Sequence, residues 1–196
     1  MNKKIILFDI DRTLINADLI EEMIYKNVSD ISGLEKEKIK KIKDEYRANL
    51  TGYTVDSLLD YISQKSKTDL TSLKSLLTND NIYKKYIYDE VSKVLNKLAQ
   101  GNNLGIFSDG DFDYQNKKIL SIRKFFRDDL IFITTGKLRN DFLKKIPDGV
   151  TIIDDDKNVI EKLKQLRPDL ELIWINRKDE EKMDGIRTIK SLEELI

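Results

Sequence analysis

Asp9, Asp11 and Thr13 stand at alternate positions of FDIDRTL, directly after the apolar run Ile5–Phe8. Two carboxylates two residues apart repel each other, so the end of so apolar a segment calls for a compensating charge. Two further runs finish in the same way. Ser108 and Asp109 close LGIFSD, and Asp154 and Asp155 close VTIIDD. Oxygen ligands gathered from several segments suit a hard cation, Mg2+ above all. The chain has no His and no Cys. That excludes a Ser-His-Asp or Cys-His nucleophile, an imidazole or thiolate metal site and a disulfide framework. Any chemistry here runs on Asp, Glu, Lys, Arg, Ser, Thr or Tyr.

The acids need strands to bring them together, and five or six apolar runs read as buried strands: Lys4–Asp9, Leu104–Asp109, Leu130–Thr135, Val150–Asp155, Leu170–Asn176 and Ile186–Ile189. They are continuous rather than alternating, which suits a parallel sheet covered on both faces. From Leu104 onward they alternate with helical segments. YQNKKILSIRKFF follows the second run and KNVIEKLKQL the fourth, with Asp156 as N-cap and Pro168 as the stop. Ser191 and Glu194 have capping-box spacing. This pattern is an α/β, doubly wound, Rossmann-like core. In such a sheet ligands bind beyond the carboxyl ends of the strands, which is where the acids fall. Residues 16–88 carry apolar residues at three- and four-residue spacing with no strand-like run between them, for example Leu19, Ile20, Met23, Ile24 and Val28, then Leu58, Leu59 and Ile62. They read as an all-helical block of four or five helices. Val91–Gln100 leads back into the core, with Gly101 as its stop. The expected division is a core of 1–15 and 89–196 with a cap of 16–88.

A length of 196 residues with 40% apolar content allows one core with one insertion. Lys plus Arg and Asp plus Glu each number 35, and no basic block occurs, so no nucleic-acid partner is expected. No apolar run approaches membrane-spanning length and MNKK leads straight into the first strand. A soluble, cytoplasmic protein without a membrane partner is the expectation. No feature specifies an oligomeric state.

FDIDRTL resembles the first motif of the haloacid dehalogenase superfamily, Asp-x-Asp-x-Thr at the end of the first strand. LGIFSDG resembles the second motif, TTGKLRNDFL the segment that supplies a lysine, and VTIIDDDKNV the acidic fourth motif. All four occur in the family's order, over essentially the whole chain, and the helical block lies where the family inserts its C1-type cap. The resemblance implies a Mg2+-dependent phosphatase acting through an aspartyl-phosphate. Asp9 would be the nucleophile and Asp11 the acid and then the base. Lys137 would offset the growing negative charge, with Lys117, Lys118, Lys144 and Lys145 as rivals for that place. Mg2+ would rest on Asp9, the backbone carbonyl of Asp11, Asp154 and Asp155, with one or both of the last two in direct contact. On the substrate side, Ser108 beside Asp109 would hold phosphoryl oxygens and Thr13 would steady the loop through hydrogen bonds. The family's dehalogenases lack an acid at the position of Asp11, because halide leaves without a proton; its presence favours phosphoryl transfer.

Arg12 stands where the family commonly has Gly, and either reaches a substrate anion, points to solvent or pairs with a nearby acid. Seven of the eight tyrosines, but none of the phenylalanines, fall in residues 16–88; they form half-exposed cap packing or a face that closes on substrate. Arg47, the only arginine of that block, and Tyr53 are the candidate specificity residues. A small phosphorylated metabolite is the expected substrate, whether a nucleoside monophosphate, a sugar phosphate or phosphoglycolate. A phosphomutase and a non-catalytic phospho-ligand binding module are the alternatives.

Overall fold

The apolar runs that lack alternation all become neighbours in one parallel sheet. In the computed structural model, which describes residues 3–48, 54–77, 79 and 81–196, the strands are β1 (Lys4–Phe8), β2 (Asn102–Asp109), β3 (Ile131–Thr134), β4 (Thr151–Asp154), β5 (Glu171–Ile175) and β6 (Arg187–Ile189). Their order is β3-β2-β1-β4-β5-β6, and every pairing is parallel. The order reverses at β1, so β1 and β4 flank the switch point at which doubly wound sheets bind ligands. Register brings the chemistry level: Phe8 pairs with Ile106 on one side and Ile153 on the other. Asp9, Ser108 and Asp154 therefore emerge at one edge.

Successive residues of each strand point to opposite faces, and both faces are apolar. Phe8, Ile106, Ile153 and Ile173 enter one core; Leu7, Phe107, Ile152 and Leu172 enter the other. Helix α5 (Val91–Gly101) covers the first face through Val91, Val94 and Leu95. Helix α8 (Lys157–Leu166), which follows the short α7 (Asn140–Leu143) in chain order, covers the second through Val159, Ile160 and Leu163. Asp156 caps α8 by accepting from the Asn158 N–H, and Ser191 and Glu194 form their capping box at the start of a short 3-10 helix. The region read as one helix after β2 is α6 (Phe112–Ile119) continued by a 3-10 turn, Leu120–Phe125.

Between β1 and α5 lie α1 (Ala17–Ser32), α2 (Lys36–Ala48), α3 (Val55–Ser66), α4 (Thr71–Leu77) and a 3-10 helix, Ile82–Tyr86. Their apolar stripes, among them Ile24, Val28, Ile39, Leu59, Ile62 and Leu73, join the core on the Phe8 side of the sheet. Leu19 does not; it is solvent-exposed. The chain leaves for these helices and returns from them side by side. Asn16 donates to the Tyr86 carbonyl at 2.7 Å and Tyr88 to that of Leu14 at 3.2 Å. Among the described residues no helix is long and apolar enough to cross a membrane.

Gly105 shows how closely β2 is packed. A Cβ there would sit 2.3 Å from the Leu130 carbonyl oxygen and 2.6 Å from a Leu7 methyl. Gly105→Ala is therefore expected to destabilise the fold by about 1–3 kcal/mol through overpacking, read as a lower midpoint in urea denaturation.

Candidate active site

Each of the strands β2, β1 and β4 ends in a residue that turns toward the same cavity. Asp9 follows β1, its own N–H still donating to the Ile153 carbonyl at 2.9 Å. Asp154 ends β4 and is fully buried. Its Oδ1 accepts the Asp156 N–H at 2.9 Å, so the turn into α8 fixes the carboxylate. Ser108, near the end of β2, is 1% exposed. A cavity of about 570 Å3 is lined by Asp9, Asp11, Ser108, Lys137, Asp154 and Asp155, among others.

Lys137 stands between two of these acids. Its Nζ donates to Asp9 Oδ1 at 2.9 Å and to Asp154 Oδ2 at 2.6 Å, and the side chain is buried. The loop that delivers it is fixed by Asp109, whose carboxylate accepts the N–H groups of Gly136 at 3.0 Å and Lys137 at 3.2 Å. Gly136 makes that turn with φ +82°, a region glycine enters without strain. Asp109, expected on the substrate side, thus has its carboxylate committed to shaping the lysine loop. Of the lysines considered for this place, Lys137 is the one whose Nζ reaches Asp9, whereas Lys118 reaches Asp11.

The carboxylates of Asp9, Asp154 and Asp155 have oxygens within 4.8 Å of one another. Burial raises Asp9 well above the usual carboxylate range; Lys137 opposes this, while Asp154 and Asp155 reinforce it. Burial, then Asp154, pushes Asp155 up to about 7. Burial opposes the charge on Lys137, but Asp154 and Asp9 outweigh it and hold the ammonium protonated. Three carboxylates and one ammonium leave two negative charges, which one divalent cation offsets. The all-oxygen donor set suits a hard ion. These residues fit such an ion.

A pH dependence follows from this burial. An acid whose pKa is raised on folding holds its proton in the folded state over a range in which the unfolded chain has lost it. Stability then falls as pH rises from the ordinary aspartate value toward about 7 for Asp155, by up to about 1.4 kcal/mol for each pH unit in that window. A divalent cation removes the cause. The rise in melting temperature on adding Mg2+ should be larger above pH 7 than below pH 5, as a thermal-shift series with a chelator control would measure.

Asp11 is turned differently from its neighbours. Lys118 Nζ lies 2.7 Å from each of its carboxylate oxygens, and Gln115 Nε2 donates to Oδ2 at 3.0 Å. Burial alone would raise this acid, but Lys118 and Gln115 outweigh it and hold its pKa below the usual value. The expected part of Asp11 in a metal site is its backbone carbonyl, and its side chain stands outside the acidic group.

Arg12 takes the left-handed conformation, φ 59°, which explains the glycine common at this place. Of its three expected alternatives, the structure shows pairing with an acid: Arg12 holds Asp18 of α1 at 2.6 Å. Arg177 braces the same turn, donating to the Arg12 carbonyl at 3.1 Å and the Thr13 carbonyl at 2.9 Å while pairing with Glu90 at 2.7 Å. The hydrogen bonds expected of Thr13 are not made by its side chain: Thr13 is fully buried, and its hydroxyl has no hydrogen-bond partner among the described residues. The same is true of the Ser108 hydroxyl. Arg47 lines the main cavity from the helical insertion; Tyr53 lies outside the described residues. The sequence did not point to Gln115, Arg177 or the Asp11 contact of Lys118. Their partners lie 104 to 165 residues away along the chain, and only the three-residue spacing of Gln115 and Lys118 on one face of α6 hints at a shared task.

Comparison with known proteins agrees with this fold. The sequence profile described as haloacid dehalogenase-like hydrolase matches residues 6–137, well over half of the chain. No curated protein matches the sequence significantly. Among solved structures, a haloacid dehalogenase-like hydrolase of Burkholderia xenovorans LB400 superposes with a TM-score of 0.78 at 19% identity, over 100% of this chain and 95% of that one. The HAD-hydrolase YfnB of Bacillus subtilis, bound to magnesium, gives 0.69 at 19% identity over 100% and 97%. A structure described as a dehalogenase gives 0.63 at 17% identity over 99% and 95%. At these identities the likeness is one of fold.

Proposed function

The chain belongs to the haloacid dehalogenase-like hydrolases, and from that premise we propose that it is a Mg2+-dependent phosphatase of small phosphorylated metabolites, working through an aspartyl-phosphate on Asp9. The observation that carries the reading is Asp11. A halide departs without a proton, whereas the alcohol of a phosphate ester needs one, and Asp11 puts a carboxyl group on the border of the cavity that holds Asp9.

In this reading an Asp9 oxygen attacks phosphorus, forming one P–O bond while the ester P–O bond breaks. Asp11, which Lys118 and Gln115 hold ionised in the free protein, takes up a proton as the anionic ester binds, gives it to the departing oxygen and then takes one from the water that hydrolyses the intermediate. Lys137 orients Asp9, and the Ser108 hydroxyl finds its hydrogen-bond partner in a phosphoryl oxygen. Mg2+, held by Asp9, Asp154 or Asp155 and the Asp11 carbonyl, would offset the phosphoryl charge. Residues 16–88 would act as a cap that excludes water and selects the substrate through residues such as Arg47. The magnesium in the Bacillus subtilis neighbour, and the interdomain movement described for that protein, support the same cofactor and a mobile cap here.

The test is orthophosphate release from an aryl phosphate and from a panel of sugar phosphates, nucleoside monophosphates and phosphoglycolate, with Mg2+ and with chelator. Metal-dependent release is expected from at least one ester. Halide release from a 2-haloacid with no phosphate release from any ester would overturn the reading.

A further inference from the structure

Helix α6 buries two polar side chains on the face it turns toward the site. Lys118 is 5% exposed and Gln115 is 3% exposed. An ammonium is expensive to bury unless it is paired, and its acidic partner among the described residues is Asp11: both carboxylate oxygens are reached at 2.7 Å. The Tyr114 ring covers the same ammonium, its centroid 4.4 Å away. Gln115 completes the arrangement by donating from one Nε2 to Asp11 and, at 2.8 Å, to the Asp109 carbonyl. A carbonyl only accepts, so the orientation of the amide is fixed. The two residues hold Asp11 from one side like a bracket.

What lies beyond the bracket gives it a purpose. A second cavity, of about 200 Å3, is lined by Asp11, Gln115 and Lys118 from the core and by Glu21, Tyr25 and Lys43 from the helical insertion. It shares Asp11, Arg12, Arg47 and Asp109 with the cavity that contains Asp9 and Lys137. Asp11 therefore stands on the boundary, with the phosphoryl machinery on one side and Lys118 on the other. An ester whose phosphorus faces Asp9 places its alcohol half on the Lys118 side.

We propose that Lys118, assisted by Gln115, is the positioning residue for leaving-group departure: it fixes the Asp11 carboxyl group at the boundary of the two cavities and sets a positive charge beside the departing oxygen. The inference rests on the phosphatase reading. The ester P–O bond breaks, its electron pair passes to the departing oxygen, the Asp9–phosphorus bond forms, and the proton comes from Asp11, which takes it up from solvent as the anionic ester binds beside it. Lys118 keeps its own protons throughout. Lys137 and Lys118 thus divide the work, one serving the nucleophile and the other the leaving group.

A series of substituted phenyl phosphates, graded by the acidity of the phenol, tests this. An acidic phenol departs without help; a weakly acidic one needs both the proton and the nearby charge. Lys118→Met is expected to lower kcat by about 100-fold for the least acidic phenol and by less than about tenfold for nitrophenol, with smaller changes in KM. Lys118→Arg should recover part of the loss, and Gln115→Met should show the same trend more weakly. Gln115→Met also stands in if the lysine variant does not fold. Asp11→Asn serves as the reference. If Asp11→Asn steepens the dependence on the phenol while Lys118→Met and Gln115→Met lower all rates equally, the Lys118 inference is wrong and the phosphatase reading stands. If Asp11→Asn also lowers all rates equally, the inference falls with the acid role of Asp11 while phosphate release by the wild type upholds the phosphatase reading; no phosphate release by the wild type from any ester removes both.

Discussion

Asp9→Asn is expected to lower phosphate release by at least about 10,000-fold, the scale on which removal of a covalent nucleophile acts. The amide has the shape of the carboxylate but cannot attack phosphorus. The same substitution should raise the stability of the metal-free protein. Asp9 is buried beside Asp154 and Asp155 and held well above its ordinary pKa, so ionising it opposes folding; Asn removes that penalty, and Lys137 keeps Asp154 as its partner. Asn also takes away one of the two uncompensated charges, so the stabilisation gained from Mg2+ should shrink. Activity lost with stability gained is a signature that misfolding cannot imitate. Phosphate-release assays and urea denaturation, each with and without Mg2+, measure all three changes.

Lys137→Met should act on stability in the opposite direction. The ammonium bridges Asp9 and Asp154 at 2.9 and 2.6 Å in a site closed to solvent. Removing one partner of a buried ionic network leaves charge uncompensated, at a cost of about 3–5 kcal/mol. Met fills nearly the same space, so the loss is electrostatic rather than a cavity. Mg2+ should restore more stability to this variant than to the wild type, because it supplies the missing positive charge. Activity should fall by about 100- to 1,000-fold, as expected for the loss of one preorganised charge in the transition state. Urea denaturation across a Mg2+ series reads the contrast with Asp9→Asn directly.

These two residues were accessible to sequence reasoning by different routes. Asp9 is legible because an apolar parallel strand has to end, and the polar residue at its end points into the crevice. The six strands were legible for the same reason: Ile5–Phe8 or Ile152–Ile153 lie between two cores and need no polar alternation. The helical insertion showed in its spacing, although Leu19 belongs to the exposed side of α1 despite fitting the pattern. Lys137 came only through likeness to a known motif, since nothing local separates it from Lys144 or Lys145.

Other features depend on folding and leave no local trace. Lys118 meets Asp11 only because α6 packs over the end of β1, which no spacing rule reports. Asp109 looks like a site acid, yet its carboxylate is used by the N–H groups of Gly136 and Lys137. Arg12 differs from the glycine common in its place, and its turn is braced by Arg177, which grips the carbonyls of that turn from the loop after β5. Strand ends and helix stripes are one-dimensional properties; carboxylate partners are not.

The most direct test of the central claim is the identity of the phosphorylated residue during turnover. The protein is mixed with a phosphate ester it hydrolyses and Mg2+, quenched in acid, digested and mapped by mass spectrometry. The account predicts a phosphoryl group on the peptide containing Asp9, absent in Asp9→Asn and absent with chelator. Turnover with no phosphorylated peptide, or with the phosphoryl group on another residue, would contradict it.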